Sequence, residues 1–181
     1  MENKFYPECS VEHSSLLLPL FEKCSESKNV LDAGSGRTSM SLILSYFTNA
    51  NVTGVVYPGD ERKLKPLAEF NASNLTLVES DLVKNELKAE YDLVVCHLLF
   101  GEAIMWGNTL ETLINSITRL NAKNVIVCDI AEDPSVDKDL IISKFNECGY
   151  KVNSSVVVQK EKEQQFTNFV SKSYYGILFS L

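Results

Sequence analysis

Asp32, Gly34 and Gly36 alternate along Val30-Leu31-Asp32-Ala33-Gly34-Ser35-Gly36-Arg37-Thr38-Ser39, where a short apolar run gives way to a glycine turn and then to helical spacing. Glycine permits a sharp turn and lets ligand atoms come close to the backbone. A strand, glycine turn and helix start in this order is a setting in which nucleotide-like ligands bind. The carboxylate at the bend narrows the chemistry. A pyrophosphate would meet Asp32 with like charge, whereas a ligand ammonium would pair with it. The competing reading is structural: Asp32 caps the helix that starts near Gly36, because helix N-termini favour carboxylates.

Other side chains could take part. His97 ends the run Tyr91-Asp92-Leu93-Val94-Val95-Cys96-His97, at the edge where open α/β sheets bind ligands, and its ordinary pKa suits a general base. A hydrogen-bonded wall residue is the equal alternative. Glu102 is a second acid–base candidate, with Gly101 and Gly107 read as parts of a loop beside the site. Asp81, in Glu79-Ser80-Asp81-Leu82, is either a ligand contact or a helix cap. Phe5, Tyr6, Phe100 and Trp106 supply an aromatic wall or, the commoner fate, core. The cysteines, Cys9, Cys24, Cys96, Cys128 and Cys148, lie far apart without a C-x-x-C pair and read as reduced thiols of a cytoplasmic protein. Neither His13 nor His97 has partners at metal-ligand spacing, so no metal is expected.

These groups need elements to hold them. Residues 29–32, 51–57, 75–79, 91–97 and 124–129 are β-rich runs, apolar and little alternating at their centres, as in strands covered on both faces of a parallel sheet. Between them, 38–47 and the stripe Leu110, Leu113, Ile114, Ile117, Leu120 have helical spacing. Residues 135–148 read as one helix presenting Leu140, Ile141, Ile142 and Phe145 and stopped by Gly149. A weaker helix is expected over 60–70, interrupted by Pro66. Such alternation builds right-handed βαβ units. Two β-rich runs, 151–160 and 172–181, break the rhythm and are expected as an antiparallel pair closing one edge. The expectation is a single domain over 1–181, with an N-terminal helical segment over 1–28 and a core over 29–181.

Composition sets the outer bounds. The 181 residues are 45% hydrophobic and 23% charged, which argues against a disordered or fibrous chain. No apolar run approaches the ~20 residues of a spanning helix, so no membrane is expected. A net charge of -7 disfavours a broad phosphate-binding face, and with it nucleic acid. Met1-Glu2-Asn3-Lys4 lacks the basic-then-apolar start of a signal peptide.

Val30 to Gly36 resembles the D-x-G-x-G motif that follows strand one in the class I S-adenosylmethionine-dependent methyltransferases. The strand–helix alternation and terminal antiparallel pair extend the resemblance over most of the chain. It implies a Rossmann-like three-layer α/β/α sandwich with a mostly parallel seven-stranded sheet, and S-adenosyl-L-methionine as cofactor. The resemblance places the methionine half of that cofactor at Asp32, Ala33, Gly34, Ser35 and Gly36, with Arg37 near its carboxylate or exposed on the helix. It places the ribose at Val56 and Tyr57, and the adenine at Asp81 and Leu82, with Asp81 accepting from the amino group. The methylthio group is implied beside Cys96-His97-Leu98-Leu99.

One position departs from the pattern. The family usually ends strand two with an acid that binds both ribose hydroxyls, and that position is Val56. Valine accepts no hydrogen bond, a loss of about 1–3 kcal/mol. Either Asp60 or Glu61 in the following turn substitutes, or the cofactor binds weakly. After the fourth strand the chain also lacks the Asn/Asp-Pro-Pro-Tyr/Phe that grips a planar amino group in related enzymes. With the acidic charge, this points to methyl transfer onto a small-molecule acceptor. The alternatives are an RNA or protein methyltransferase docked by a partner, which a basic patch of Arg62, Lys63 and Lys65 would favour, and an inactive cofactor-binding relative, which Val56 favours. A nicotinamide oxidoreductase is opposed by Asp32 and by Ser39 where a third glycine would stand.

Overall fold

The computed structural model describes residues 17–36, 39–59, 72–84, 87, 90–131, 133–159 and 173–181. The apolar runs form β1 (Asn29–Asp32), β2 (Asn51–Val56), β3 (Leu75–Glu79), β4 (Leu93–His97) and β5 (Asn124–Ile130). Helices α1 (Ser39–Phe47), α2 (Leu99–Met105), α3 (Leu110–Thr118) and α4 (Lys138–Glu147) lie between or after them, and β6 (Lys151–Gln159) and β7 (Ser173–Ser180) end the chain. One seven-stranded sheet results, in the order β3-β2-β1-β4-β5-β7-β6. The first five strands are parallel, and β7 runs antiparallel to both β5 and β6. The strand order reverses between β1 and β4, and such a switch point opens a crevice at the strand ends.

Alternate residues of each central strand feed two cores. Leu31, Val94, Cys96, Val125, Val127, Ile177 and Phe179 pack on one face with Phe100, Ile114, Ile117, Ile141 and Phe145 of α2, α3 and α4. Val30, Leu93, Val95, Ile126, Cys128 and Leu178 pack on the other with Met40 and Leu44 of α1 and with Leu17 and Leu20 of a helical segment at 17–22. Burial on both faces explains the weak alternation, and the two cores make the expected α/β/α sandwich.

Several elements differ from expectation for local reasons. The edge strand β3 is only half-covered, since β2 is its one neighbour in the sheet. The helix expected over 135–148 is split. Extended Asp133 accepts from Ser135 N and starts a short 3-10 turn at Pro134–Val136, then Asp137 accepts from Leu140 N and starts α4. Leu140 is left exposed at 46%, while Ile141 and Phe145 reach the core. Gly101 lies inside α2 rather than in a loop, buried against Asp129 and Asp133. A Cβ there would come within 3.3 Å of Asp133 Oδ2 and 3.4 Å of Asp129 Oδ1, so tertiary packing overrides the weak helix preference of glycine. The antiparallel pair forms, with β7 inside the sheet and β6 at the edge. The helix expected over 60–70 falls outside the described residues.

Candidate functional site

The turn after β1 is laced to both neighbouring strands. Ala33 N donates to Val95 O of β4 at 2.8 Å, and Ser35 N donates to Val55 O of β2 at 2.6 Å. Gly34 and Gly36 have φ of 81° and 48°, a region that side chains with a Cβ enter at a cost. Space decides as well as φ: a Cβ on Gly34 would lie 2.5 Å from Leu99 Cδ1.

Asp32 lies beneath this turn, 1% exposed. Its Oδ2 accepts from Ser41 Oγ, in the first turn of α1, at 2.5 Å. The Ser41 and Ser35 hydroxyls are 2.7 Å apart. The tie of Asp32 to α1 runs through the Ser41 hydroxyl. It occupies one oxygen, and among the described residues Oδ1 is the buried side-chain polar atom without a partner. Burial pushes the carboxyl up to about 6, against the opposing pull of the Ser41 and Ser35 hydroxyls.

A pocket with about 610 Å³ of empty space, its open mouth included, spreads across these strand ends. Gly34 and Gly36 supply its floor, Val55 and Tyr57 the end of β2, and Ser80, Asp81, Leu82 and Val83 the end of β3. Leu99, Glu102, Ala103 and Trp106 line the α2 side, with Asn108 and Leu113 beyond them. Trp106 packs edge-on against Tyr57, ring centroids 5.1 Å apart. Asp81 Oδ1 accepts from Val83 N at 3.0 Å and Lys84 N at 3.3 Å, and Lys84 Nζ lies 3.2 Å from Oδ2. Partial burial raises the Asp81 pKa, but the Lys84 ammonium and the two backbone N–H groups together hold it below the usual carboxylate range.

The fold therefore gathers Gly34, Gly36, Tyr57, Asp81, Leu82, Glu102 and Trp106 around one cavity. Asp32, Ala33, Ser35, Val56 and His97 are not among its lining residues. Asp32, Ala33, Ser35 and Val56 are buried behind it, and His97 is half-buried at the end of β4. Phe100 is wholly core. Phe5, Tyr6, Arg37, Asp60, Glu61, Arg62, Lys63 and Lys65 lie outside the described residues. Leu99, implied beside the methylthio group, lines the pocket, whereas sequence reasoning missed Ala103, Asn108 and Leu113, although Leu99, Glu102, Ala103 and Trp106 follow i, i+3, i+4, i+7 spacing.

Asp129 was missed too. Buried at the end of β5, it accepts from Gly101 N at 3.3 Å and Ile130 N at 2.9 Å. Its carboxylate thereby fastens the first turn of α2, the helix that walls the pocket. Burial pushes it up to about 6 against these bonds. Among the described residues no group of three or more His, Cys, Asp or Glu is arranged to hold a metal. No helix among them is long and apolar enough to cross a membrane.

Among solved structures the chain is similar to the N-methyltransferase NodS from Bradyrhizobium japonicum in complex with S-adenosyl-L-homocysteine, with a TM-score of 0.68 and 15% identity over 98% of this chain and 89% of that one. The fold is that of the class I S-adenosylmethionine-dependent methyltransferases. Precorrin-6y C5,15-methyltransferase from Geobacter metallireducens shares this methyltransferase fold, with a TM-score of 0.65 and 19% identity over 100% of this chain and 94% of that one. So does a candidate RNA methyltransferase from Pyrococcus horikoshii, with a TM-score of 0.70 and 18% identity over 93% and 82% of the two chains. No family model matches the chain, and no curated protein matches it in sequence.

Proposed function

We propose that this protein is an S-adenosylmethionine-dependent methyltransferase acting on a small-molecule acceptor. The observation that carries the reading is the pocket itself, which joins Gly34 and Gly36 of the turn after β1 to the Asp81-Leu82 end of β3 on a methyltransferase fold. The residues fit the cofactor. Asp32 Oδ1 is a buried acceptor awaiting a donor, which suits an ammonium, and Gly34 and Gly36 present bare backbone to the pocket. Asp81 and Leu82 are the residues to hold the adenine, and Tyr57 offers an aromatic wall.

When bound, S-adenosylmethionine supplies an electrophilic methyl group on a sulfonium. The protein's part is alignment of the acceptor and removal of a proton where the acceptor needs it. Leu99, Trp106 and Tyr57 give one side of the pocket an apolar wall. His97, at the end of β4, is the candidate base, and His97→Ala should then lower kcat while leaving cofactor affinity unchanged. The net charge of -7 favours a small acceptor over nucleic acid. Buried, unpaired Cys24, Cys96 and Cys128 suit a cytoplasmic setting.

A second reading, cofactor binding without turnover, is favoured by Val56, whose buried side chain leaves the end of β2 without an acid. Calorimetric titration with S-adenosylmethionine and S-adenosylhomocysteine, with Asp32→Asn as control, tests both readings. Micromolar binding weakened in the variant supports the cofactor site, and an acceptor screen then separates enzyme from binder. No binding to the folded wild-type protein would reject both.

A further inference from the structure

The place usually served by an acid at the end of β2 holds Val56, 1% exposed. Two carboxylates line the pocket among the described residues, Asp81 and Glu102. Asp81 follows β3, beyond β2 from the glycine turn, and its carboxylate closes its own turn through Val83 N and Lys84 N. Glu102 is placed differently. It stands on α2 three residues after Leu99 and four before Trp106, so all three share a helix face. Leu99 lies over Gly34, closely enough that a Cβ there would meet it at 2.5 Å. Trp106 packs on Tyr57 at 5.1 Å.

Gly34 follows β1 and Tyr57 follows β2, and these strands are neighbours with Asp32 in register with Gly54. Val56 lies at that junction. Glu102 is thus carried on a helix face whose two ends touch the two strand ends that flank the vacant acid position. The helix is anchored for this: Leu98 N donates to Cys128 O at 2.8 Å, and Gly101 N to Asp129.

We propose that Glu102 is the ribose-binding acid of this protein, accepting the ribose hydroxyls from the α2 side of the pocket in place of an acid on β2. The inference rests on the methyltransferase reading of the pocket. It makes Glu102 a ligand of the cofactor rather than a base toward the acceptor.

The test compares S-adenosylhomocysteine with its 2′-deoxy counterpart by calorimetry, using wild type, Glu102→Gln and Glu102→Ala, each checked for cooperative unfolding. The expected result is a wild-type preference for the ribose form of about tenfold or more that falls to near unity in both variants. A preference that survives in the variants would overturn the assignment while leaving the cofactor site standing. So would unchanged cofactor affinity with a reduced kcat, the signature of a base. Failure of wild type to bind either ligand would instead reject the methyltransferase reading, and this inference with it.

Discussion

Ser41 Oγ donates to Asp32 Oδ2 at 2.5 Å and stands 2.7 Å from the Ser35 hydroxyl, tying the first turn of α1 to the end of β1 and to the glycine turn. The contact holds one carboxylate oxygen and leaves the other open. Ser41→Ala removes a hydrogen bond to a buried charged group, and a loss of about 1.5–3 kcal/mol in unfolding free energy is expected by chemical denaturation.

The same contact sets a pH dependence. Asp32 and Asp129 are both raised from 3.8 to about 6, so each binds its proton more tightly folded than unfolded. Their contribution to folding stability is complete below about 3.8 and is lost as pH rises through about 6. Affinity for a ligand ammonium runs the opposite way, because ionised Asp32 is the pairing form. Asp32 in turn raises the pKa of the Cys96 thiol on β4, which burial already pushes up. S-adenosylhomocysteine affinity should therefore fall as pH drops through about 6. The midpoint should move upward in Ser41→Ala, and the pH dependence should vanish in Asp32→Asn. A flat wild-type profile would remove Asp32 from the cofactor site.

Gly34→Ala combines two penalties. The left-handed backbone costs a side chain roughly 1–2 kcal/mol, and the new Cβ meets Leu99. Both melting temperature and S-adenosylhomocysteine affinity should fall. Adding Leu99→Ala should recover the steric part alone, so a double mutant that recovers nothing would show that Leu99 is not the obstacle.

Trp106 is the single tryptophan of the chain and is 50% exposed at the pocket mouth. Ligand entry should change its emission, which gives a titration that needs no acceptor. Tyr57→Ala should alter the emission of the free protein and weaken cofactor binding by about 0.5–1.5 kcal/mol, the range of an aromatic pair. Emission indifferent to saturating ligand would place binding elsewhere.

Asp129 fastens α2 from below. Asp129→Ala strips the acceptor from Gly101 N, so amide exchange in the first turn of α2 should accelerate and cofactor affinity should drop. Asp129→Asn keeps one acceptor oxygen and should lose less. Equal loss in both variants would mean that the negative charge, rather than the acceptor, holds the helix.

Much of this was legible in the residues. Strand periodicity and the acid–glycine turn depend on neighbours a few positions away, which is why β1 to β5, the antiparallel pair and the turn at Gly34 could be read directly. The same local logic misread Gly101 and the helix over 135–148. A glycine lowers helix propensity by about 1 kcal/mol, and only the approach of Asp129 and Asp133 from another strand and loop shows why it belongs in α2. Similarly, the two successive aspartate caps at Asp133 and Asp137 divide a stretch whose hydrophobic spacing looks continuous.

By itself, then, the sequence determined the class of fold and the chemistry available at the end of β1, because both are set by residue type and short spacing. Tertiary structure decided which of those groups share a cavity. It placed β7 inside the sheet, buried Val56 and His97's neighbour Cys96, committed one oxygen of Asp32 to α1, and brought Glu102 into one pocket with Gly34 and Tyr57. The physical reason is that burial and contact are properties of elements packed together across long stretches of chain, and no local pattern records which side chain another element will cover.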